Sequence, residues 1–464
     1  MLINRSAPLP RPAAAGGSSM LTRRGFLGSV TLPAGALAAT GGLGLLTAAG
    51  HAAPQHELLD ELAQTPGEPE AIAKDENFWA RVQQAFTIDR SVINFNNGGV
   101  SPSPAIVQEA LKRHLEYANQ SPSTRALWAE LEPQKEGIRQ RLAREWGVSS
   151  EEIALTRNAS ESLQICQLGF DLQPGDEVLT TTVDYPRMLT TFKQRERRDG
   201  IVLKQIKLPI PCEDNPTLVR LFEQNITSKT RLILMSHIVN ITGQIMPVKA
   251  IVAMARTKNG GIPVIVDGAH AMAQIDFKLS DLECDYYGVS LHKWLAAPHG
   301  TGLLYVRKDK IKALWPMMAA DVKQEDDIRK FEEIGTHPAG PLLAVGEALT
   351  FHQAIGGKRK EARLRYLRDR WATRLKPHDR VKLHTSLNPA FSCAIGTVQI
   401  EGIDSAKLYG WLWRGKNSPL ILTTPIKHDE FEGIRVTPSV YSTLEEVDRF
   451  SEAMEKVLKE GLPE

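Results

Sequence analysis

From about Phe78 onward the chain alternates apolar runs of strand length with segments of helical period. The expected strands are Glu177–Thr181, Ile201–Ile206, Arg231–Ile238, Pro263–Asp267, Asp285–Val289 and Gly302–Val306. Helical patterns fall between them at Ala159–Gly169, Met188–Arg198, Thr217–Gln224 and Val248–Thr257. This alternation predicts an α/β fold: a mostly parallel sheet with helices on both faces, forming one large domain over 105–310. After Lys310 the rhythm changes. Helices are expected near Pro341–Ala354, Arg359–Arg374, Ser405–Trp413 and Leu444–Lys459, with strands at Ala394–Ile400 and Gly433–Thr437. That mixture predicts a smaller α+β domain over 311–464. Residues 53–78 are polar and spotted with Pro and Gly, so they read as a linker with a short helix.

Composition narrows the class. The 464 residues are 42% hydrophobic and 24% charged, ordinary for a globular chain and too apolar for a mostly disordered one. With 56 Lys+Arg against 54 Asp+Glu, the charge nearly cancels, which argues against a generic nucleic-acid binder. Cys166, Cys212, Cys284 and Cys393 are too few and too scattered for a disulfide scaffold or a zinc motif. The stretch from Lys358 to Lys376 is dense in arginine and lysine, and it reads as a solvated helix face.

Residues 1–52 stand apart. Their only charges are Arg5, Arg11, Arg23 and Arg24. Thr22-Arg23-Arg24-Gly25-Phe26-Leu27-Gly28 resembles the twin-arginine export motif, followed by an uncharged Ala/Gly/Leu run and small residues at Gly50-His51-Ala52. The expectation is a signal peptide over 1–52, recognised by the twin-arginine translocation machinery and cleaved to release a periplasmic or exported protein without a stable membrane span. Its start lies at Met1 or Met20. Without those four arginines the chain keeps 52 Lys+Arg against 54 Asp+Glu, so the slight basicity belongs to this segment.

The chemistry sits in Val264-Ile265-Val266-Asp267-Gly268-Ala269-His270 and Ser290-Leu291-His292-Lys293-Trp294. Asp267 ends an apolar strand, where open α/β sheets bind ligands. Lys293 follows the end of a second strand and reaches the same crevice. A lysine and a carboxylate at one crevice match the needs of pyridoxal phosphate: an amine for the Schiff base and an anion against the protonated ring nitrogen. Thr156–Glu161 opens a helix whose N–H groups, with the Ser160 hydroxyl, suit a phosphate. Asn240, past another strand, is placed for the phenolic oxygen. Arg435 suits a substrate carboxylate.

These motifs, with Thr242-Gly243 and Ile434-Arg435-Val436-x-Pro438-x-x-Tyr441-Ser442-Thr443, resemble the class V aminotransferase family of fold type I pyridoxal-phosphate enzymes, most closely its isopenicillin N epimerase-like branch. The resemblance implies a seven-stranded-type, mostly parallel sheet in the large domain. It assigns the catalytic role to Lys293. It gives the cofactor Asp267 at the ring nitrogen and His270 and Asn240 near the phenolic oxygen. Ala159, Ser160, Ser290 and His292 hold the phosphate, and Tyr185 stacks on the ring. Thr336 reaches a partner subunit's phosphate, which implies a homodimer with shared active sites. Residues 79–104 are expected to pack with the small domain, bringing Asn97 to the substrate beside Arg435. No metal and no nucleic acid are expected.

The implied activity is a transferase or isomerase acting on an amino acid, or on the amino-acid side of a peptide, through a lysine Schiff base and Cα-proton abstraction. An exported enzyme that modifies a siderophore peptide is the alternative. A cysteine desulfurase or lyase is disfavoured, because Asn417–Gly433, ahead of Arg435, holds no cysteine. A non-catalytic cofactor-binding protein is disfavoured by the intact Lys293–Asp267 pair.

Overall fold

The computed structural model describes residues 57–120 and 122–463. The twin-arginine segment expected over 1–52 lies outside them. Within them, no helix is long and apolar enough to cross a membrane.

The described residues open with helices rather than a linker. Residues 57–64 are helical, and α1 (Glu76–Gln84) is capped by the Asp75 carboxylate. Leu59, Leu62, Ile72, Phe78, Trp79 and Val82 are buried in the main core. The linker expected over 53–78 is therefore corrected over its described part. Its few apolar residues are spaced to dock, and Trp79 further ties its indole to the Ile72 carbonyl at 2.7 Å. Next comes β1 (Ile93–Asn94).

Seven strands follow: β2 (Ile153–Thr156), β3 (Glu177–Thr181), β4 (Val202–Ile206), β5 (Thr230–Ser236), β6 (Val264–Asp267), β7 (Tyr286–Ser290) and β8 (Gly302–Val306). They form one sheet in the order β2-β8-β7-β6-β5-β3-β4. All pairings are parallel except those of β8, which runs against both neighbours. Strands β6, β7 and β8 are buried at every residue, as expected when helices cover both faces. Strand β4, at the edge, is largely open. Helix α2 (Ala159–Gly169) packs across β7, and α3 (Pro186–Asp199) follows β3.

The division between the two cores comes later in the chain than the rhythm suggests. Helix α4 (Val345–Ile355) is apolar nearly all round and belongs to the core under the large sheet. A separate core begins on α5 (Gly357–Leu375) with Leu367, Trp371 and Leu375. It lies under a four-stranded antiparallel sheet of β9 (Val381–Leu383), β10 (Gly396–Ile400), β12 (Thr424–Lys427) and β13 (Glu432–Val436). Between β10 and β12, β11 (Ile421–Leu422) pairs in parallel with β1, which fastens the N-terminal segment to this smaller part. Helix α6 (Leu444–Glu460) closes it, started by a Thr443–Glu446 capping box.

The solvated-face reading of α5 is corrected. Lys360, Arg363 and Arg368 are buried. Arg363 pairs with Glu76 and the Ala73 carbonyl, and Arg368 meets the Ser386 carbonyl and Ser392. Arg370 and Arg374 fork onto Asp448 and Glu455 of α6. The cations are spent as clamps between segments, paired with carboxylates, carbonyls or a hydroxyl, although Arg363 Nε and Arg368 Nη2 stay buried without a partner among the described residues.

Candidate functional site

The register of the large sheet levels three strand ends, pairing Ser236 with Asp267 and Asp267 with Gly288. A cavity of about 200 Å³ opens beyond them. Asp267, Ser290, His292 and Lys293 line it, with His270 on the turn after β6.

The Asp267 turn admits little else. A Cβ on Gly268 would fall 1.9 Å from Cε1 of Tyr287, so only glycine fits beneath that ring. The Tyr287 hydroxyl is itself held 2.8 Å from His237 Nδ1. Burial raises the Asp267 carboxyl to about 6, against the lowering effects of the Ala269 N–H at 3.0 Å and the Lys293 charge; Asp184 raises it further. Burial pushes the Lys293 amine down to about 8; Asp267 pulls it up and Arg435 pulls it down. Lys293 Nζ stands 3.2 Å from His270 Nε2.

The N-terminus of α2 forms a second wall. The Asn158 side chain caps the Glu161 N–H at 2.9 Å, and the Ala159 N–H donates to Ser290 Oγ at 3.0 Å. The Ser160 N–H and hydroxyl keep no protein partner among the described residues, and Ser160 lines the cavity. His292 donates from Nδ1 to the Thr301 carbonyl at 3.2 Å, leaving Nε2 without a partner among the described residues. Together these groups make an anion cradle at a helix start.

Tyr185 lines the mouth, 40% exposed, at the start of α3. Asp184, which the sequence reading passed over, sets its loop. Asp184 accepts from Thr180 Oγ1 at 2.7 Å, from the Thr181 N–H and Oγ1 at 2.9 Å each, and from the Ser236 N–H and Oγ at 2.8 and 2.7 Å. Those bonds stitch the loop after β3 to the end of β5. The signal for this was the close run Thr180-Thr181-x-x-Asp184.

Arg435, on β13 and 7% exposed, stands beside the cavity, behind its lining residue Asn240. Its Nη1 donates to the Asn240 carbonyl at 3.0 Å, and Nη2 donates to Asn96 Oδ1 at 3.0 Å and Thr424 Oγ1 at 3.2 Å. Burial lowers it to about 10, while Tyr185 acts to raise it. Asn97 differs from expectation. It is fully buried, its amide spent on the Asn94 and Thr437 carbonyls, and its oxygen accepts from Tyr441. Asn96, one residue earlier, is the neighbour of the guanidinium. Along the extended segment adjacent side chains alternate in direction, and only contact with β13 decides which faces the arginine. Thr336 is exposed and does not line this cavity within its own chain.

The donor set fits pyridoxal 5′-phosphate. It offers an amine, a buried carboxylate for a protonated ring nitrogen, and open N–H and hydroxyl donors for a phosphate. At the site, two buried polar atoms lack partners among the described residues, Asn240 Oδ1 and Arg435 Nε. Asn240 lines the cavity, and its amide presents either an acceptor or a donor there.

Comparison with known proteins agrees. The profile of the aminotransferase class-V family matches residues 93–450. Isopenicillin N epimerase from Amycolatopsis lactamdurans is 28% identical over 403 residues, covering 82% of this chain and 99% of that protein. Cysteine desulfurase from Pectobacterium atrosepticum is 27% identical over 270 residues, covering 55% of this chain and 65% of the relative. Among solved structures, a C-DES mutant with glycine covalently linked to its pyridoxal-phosphate cofactor superposes with a TM-score of 0.71 at 23% identity, covering 80% of this chain and 98% of that one. A mostly parallel sheet with Asp267 at one strand end and Lys293 just past another, and a family match that runs from β1 into α6, make the conclusion plain: this chain belongs to the class V aminotransferase family of pyridoxal-phosphate-dependent enzymes.

Proposed function

We propose that the protein removes the Cα proton of an amino acid, free or at the amino-acid side of a peptide, in an aminotransferase- or epimerase-type reaction. The observation that carries this reading is one cavity lined by both the Lys293 amine and the Asp267 carboxylate, with Arg435 beside it. When bound, pyridoxal 5′-phosphate supplies an aldehyde for the substrate amine and a conjugated ring that accepts the electron pair left at Cα.

The chain's own residues do the rest. Asp267, ionised above about 6, holds a proton on the ring nitrogen by its charge. Lys293, with its amine brought down to about 8, exchanges protons near neutral pH and takes the Cα proton on Nζ. The place to which that proton returns separates amino transfer from epimerisation. The α2 N-terminus and His292 hold the phosphate, and Arg435 orients the substrate carboxylate with the donors its own neighbours leave open. The epimerase relative, matched over nearly its whole length, supports the epimerase type.

Sulfur transfer is the weaker reading. The turn between β12 and β13 carries no cysteine, and all four cysteines are buried. Burial pushes the Cys393 thiol up to about 12, so it is no ready thiolate.

Export and a homodimer with shared sites belong to the same proposal. The Thr22–Gly28 motif supports export and leaves a peptide of siderophore type as the second substrate class. The exposed Thr336, away from its own chain's cavity, supports the shared site. The test is to present panels of amino acids and peptides to the purified enzyme and follow the visible absorbance of its cofactor. Spectral changes with carboxylate-bearing amines are expected, with turnover of those amines lost in Lys293→Ala. No response to any such amine would sink the proposal.

A further inference from the structure

The residue after the reactive lysine, Trp294, is buried at 3% exposure and meets the histidine of the cavity. Its indole N–H donates to His270 Nδ1 at 3.4 Å. The two rings meet at 64°, with centroids 6.4 Å apart. On the other edge of the same imidazole, Nε2 faces Lys293 Nζ at 3.2 Å. An indole N–H can only donate, so the nitrogen it meets must carry a lone pair. Burial, aided by the charges of Lys293 and Arg435, holds the His270 pKa well below its ordinary value. A neutral imidazole carries one proton, and with Nδ1 accepting, that proton sits on Nε2. An Nε2–H facing the lysine needs an acceptor there, and an amine accepts only as the free base.

Trp294 is held in turn. Lys360 of α5, one of the buried cations that face no carboxylate, donates from Nζ to the Trp294 carbonyl. His270 is held through its own carbonyl, which accepts from Gln274 Nε2, and a Cβ on Gly98 would stand 3.5 Å from its Cε1. The imidazole is therefore fixed on both nitrogen edges and along its backbone.

We propose that Trp294 is a positioning residue: its indole N–H locks His270 in the Nε2-protonated tautomer, which favours the free base of Lys293, with Lys360 anchoring the Trp294 main chain at its carbonyl. The charged and titratable groups facing that amine are Asp267 from β6, Arg435 from β13 and His292 beside it. Asp267 favours the ammonium form, Arg435 opposes it, and the His270 tautomer tips the balance. Without the indole N–H, the His270 proton is free to move to Nδ1. Nε2 then accepts from the ammonium and stabilises it.

The test uses the full chain stripped of cofactor. Imidazole nitrogen shifts in ¹⁵N-histidine-labelled protein, with His270 assigned through His270→Gln, report the tautomer. Acetylation of Lys293 as a function of pH, mapped by peptide mass spectrometry, reports its amine. Wild type is expected to show Nε2–H. In Trp294→Phe the proton moves to Nδ1 and the Lys293 midpoint rises by about one pH unit, the scale of one hydrogen bond to a charged group. Lys360→Met, which keeps the indole, shifts the midpoint the same way by less, and it carries the test if Trp294→Phe does not fold. A wild type protonated on Nδ1 overturns the proposal. So does a Trp294→Phe protein that only melts lower, with tautomer and midpoint unchanged. The inference takes Lys293 as the reacting amine from the proposed function. The nitrogen shifts are read without turnover, so an inactive enzyme with the expected tautomer sinks that function and leaves this inference standing.

Discussion

The two walls of the site, the cavity lining on the large sheet and the Arg435 cluster beside it, are built by different means. On the large sheet, Asp267, Ser290 and Lys293 sit at or just past the ends of neighbouring parallel strands, levelled by register. The facing wall is gathered from three distant pieces: Asn96 after β1, Thr424 on β12 and Arg435 on β13. One wall follows from sheet geometry, and the other depends on the N-terminal segment docking onto the smaller core. The difference suggests a division of labour. Groups that move protons stand on the rigid wall, and groups that recognise substrate stand on the wall that loop and segment changes can alter.

Substitutions can break that division. Lys293→Ala should lower kcat by at least about 10³-fold, since among the described residues no other lysine lines the cavity. Its substrate affinity, measured by equilibrium titration, should change far less. Asp267→Asn should cost about 10²- to 10³-fold, the scale for removing one preorganised electrostatic partner. Its pH profile carries a sign. In wild type, activity should fall as pH drops through about 6, where the carboxyl protonates and loses its charge. In Asp267→Asn that acid limb should vanish. On the facing wall the expected effects are smaller and of another kind. Arg435→Lys should raise KM by about 10- to 100-fold with a modest change in kcat, because an ammonium cannot fork onto a carboxylate. Asn96→Ala, which frees one edge of the guanidinium, should raise KM by about 3- to 10-fold. Arg363→Met, remote from both walls, should leave kcat and KM unchanged while lowering the thermal midpoint, since it strips a buried clamp from Glu76. A loss of turnover there would show that the clamps of α5 reach the site.

The same contrast explains what was legible before the structure. The sheet wall is local in sequence: an apolar strand ending in Asp267, a strand ending in Ser290, and a helix start at Ala159. Strand and helix periodicities report such features directly, and those elements fall within a few residues of expectation. The facing wall is a matter of tertiary contact. The choice of Asn96 over Asn97 follows from how β1 pairs with β11 and how Asn96 bridges to Thr437. Single-chain periodicity carries no such information. The buried arginines of α5 were missed because a cation in a helix reads as exposed unless its distant partners, such as Glu76 and Ser392, are already in place. Asp184 was missed for a related reason: an Asp before Tyr-Pro looks like a turn former until the donors of β3 and β5 converge on it.

The central claim is that Lys293 moves a proton at the substrate Cα. Mass spectrometry of amino acids and peptides incubated with the enzyme in D₂O, with chiral separation of the recovered substrate, tests it most directly. The account predicts deuterium at Cα of accepted substrates with the wild-type enzyme and none with Lys293→Ala. Undiminished exchange in Lys293→Ala, or consumption of substrate with the Cα proton retained, would contradict it.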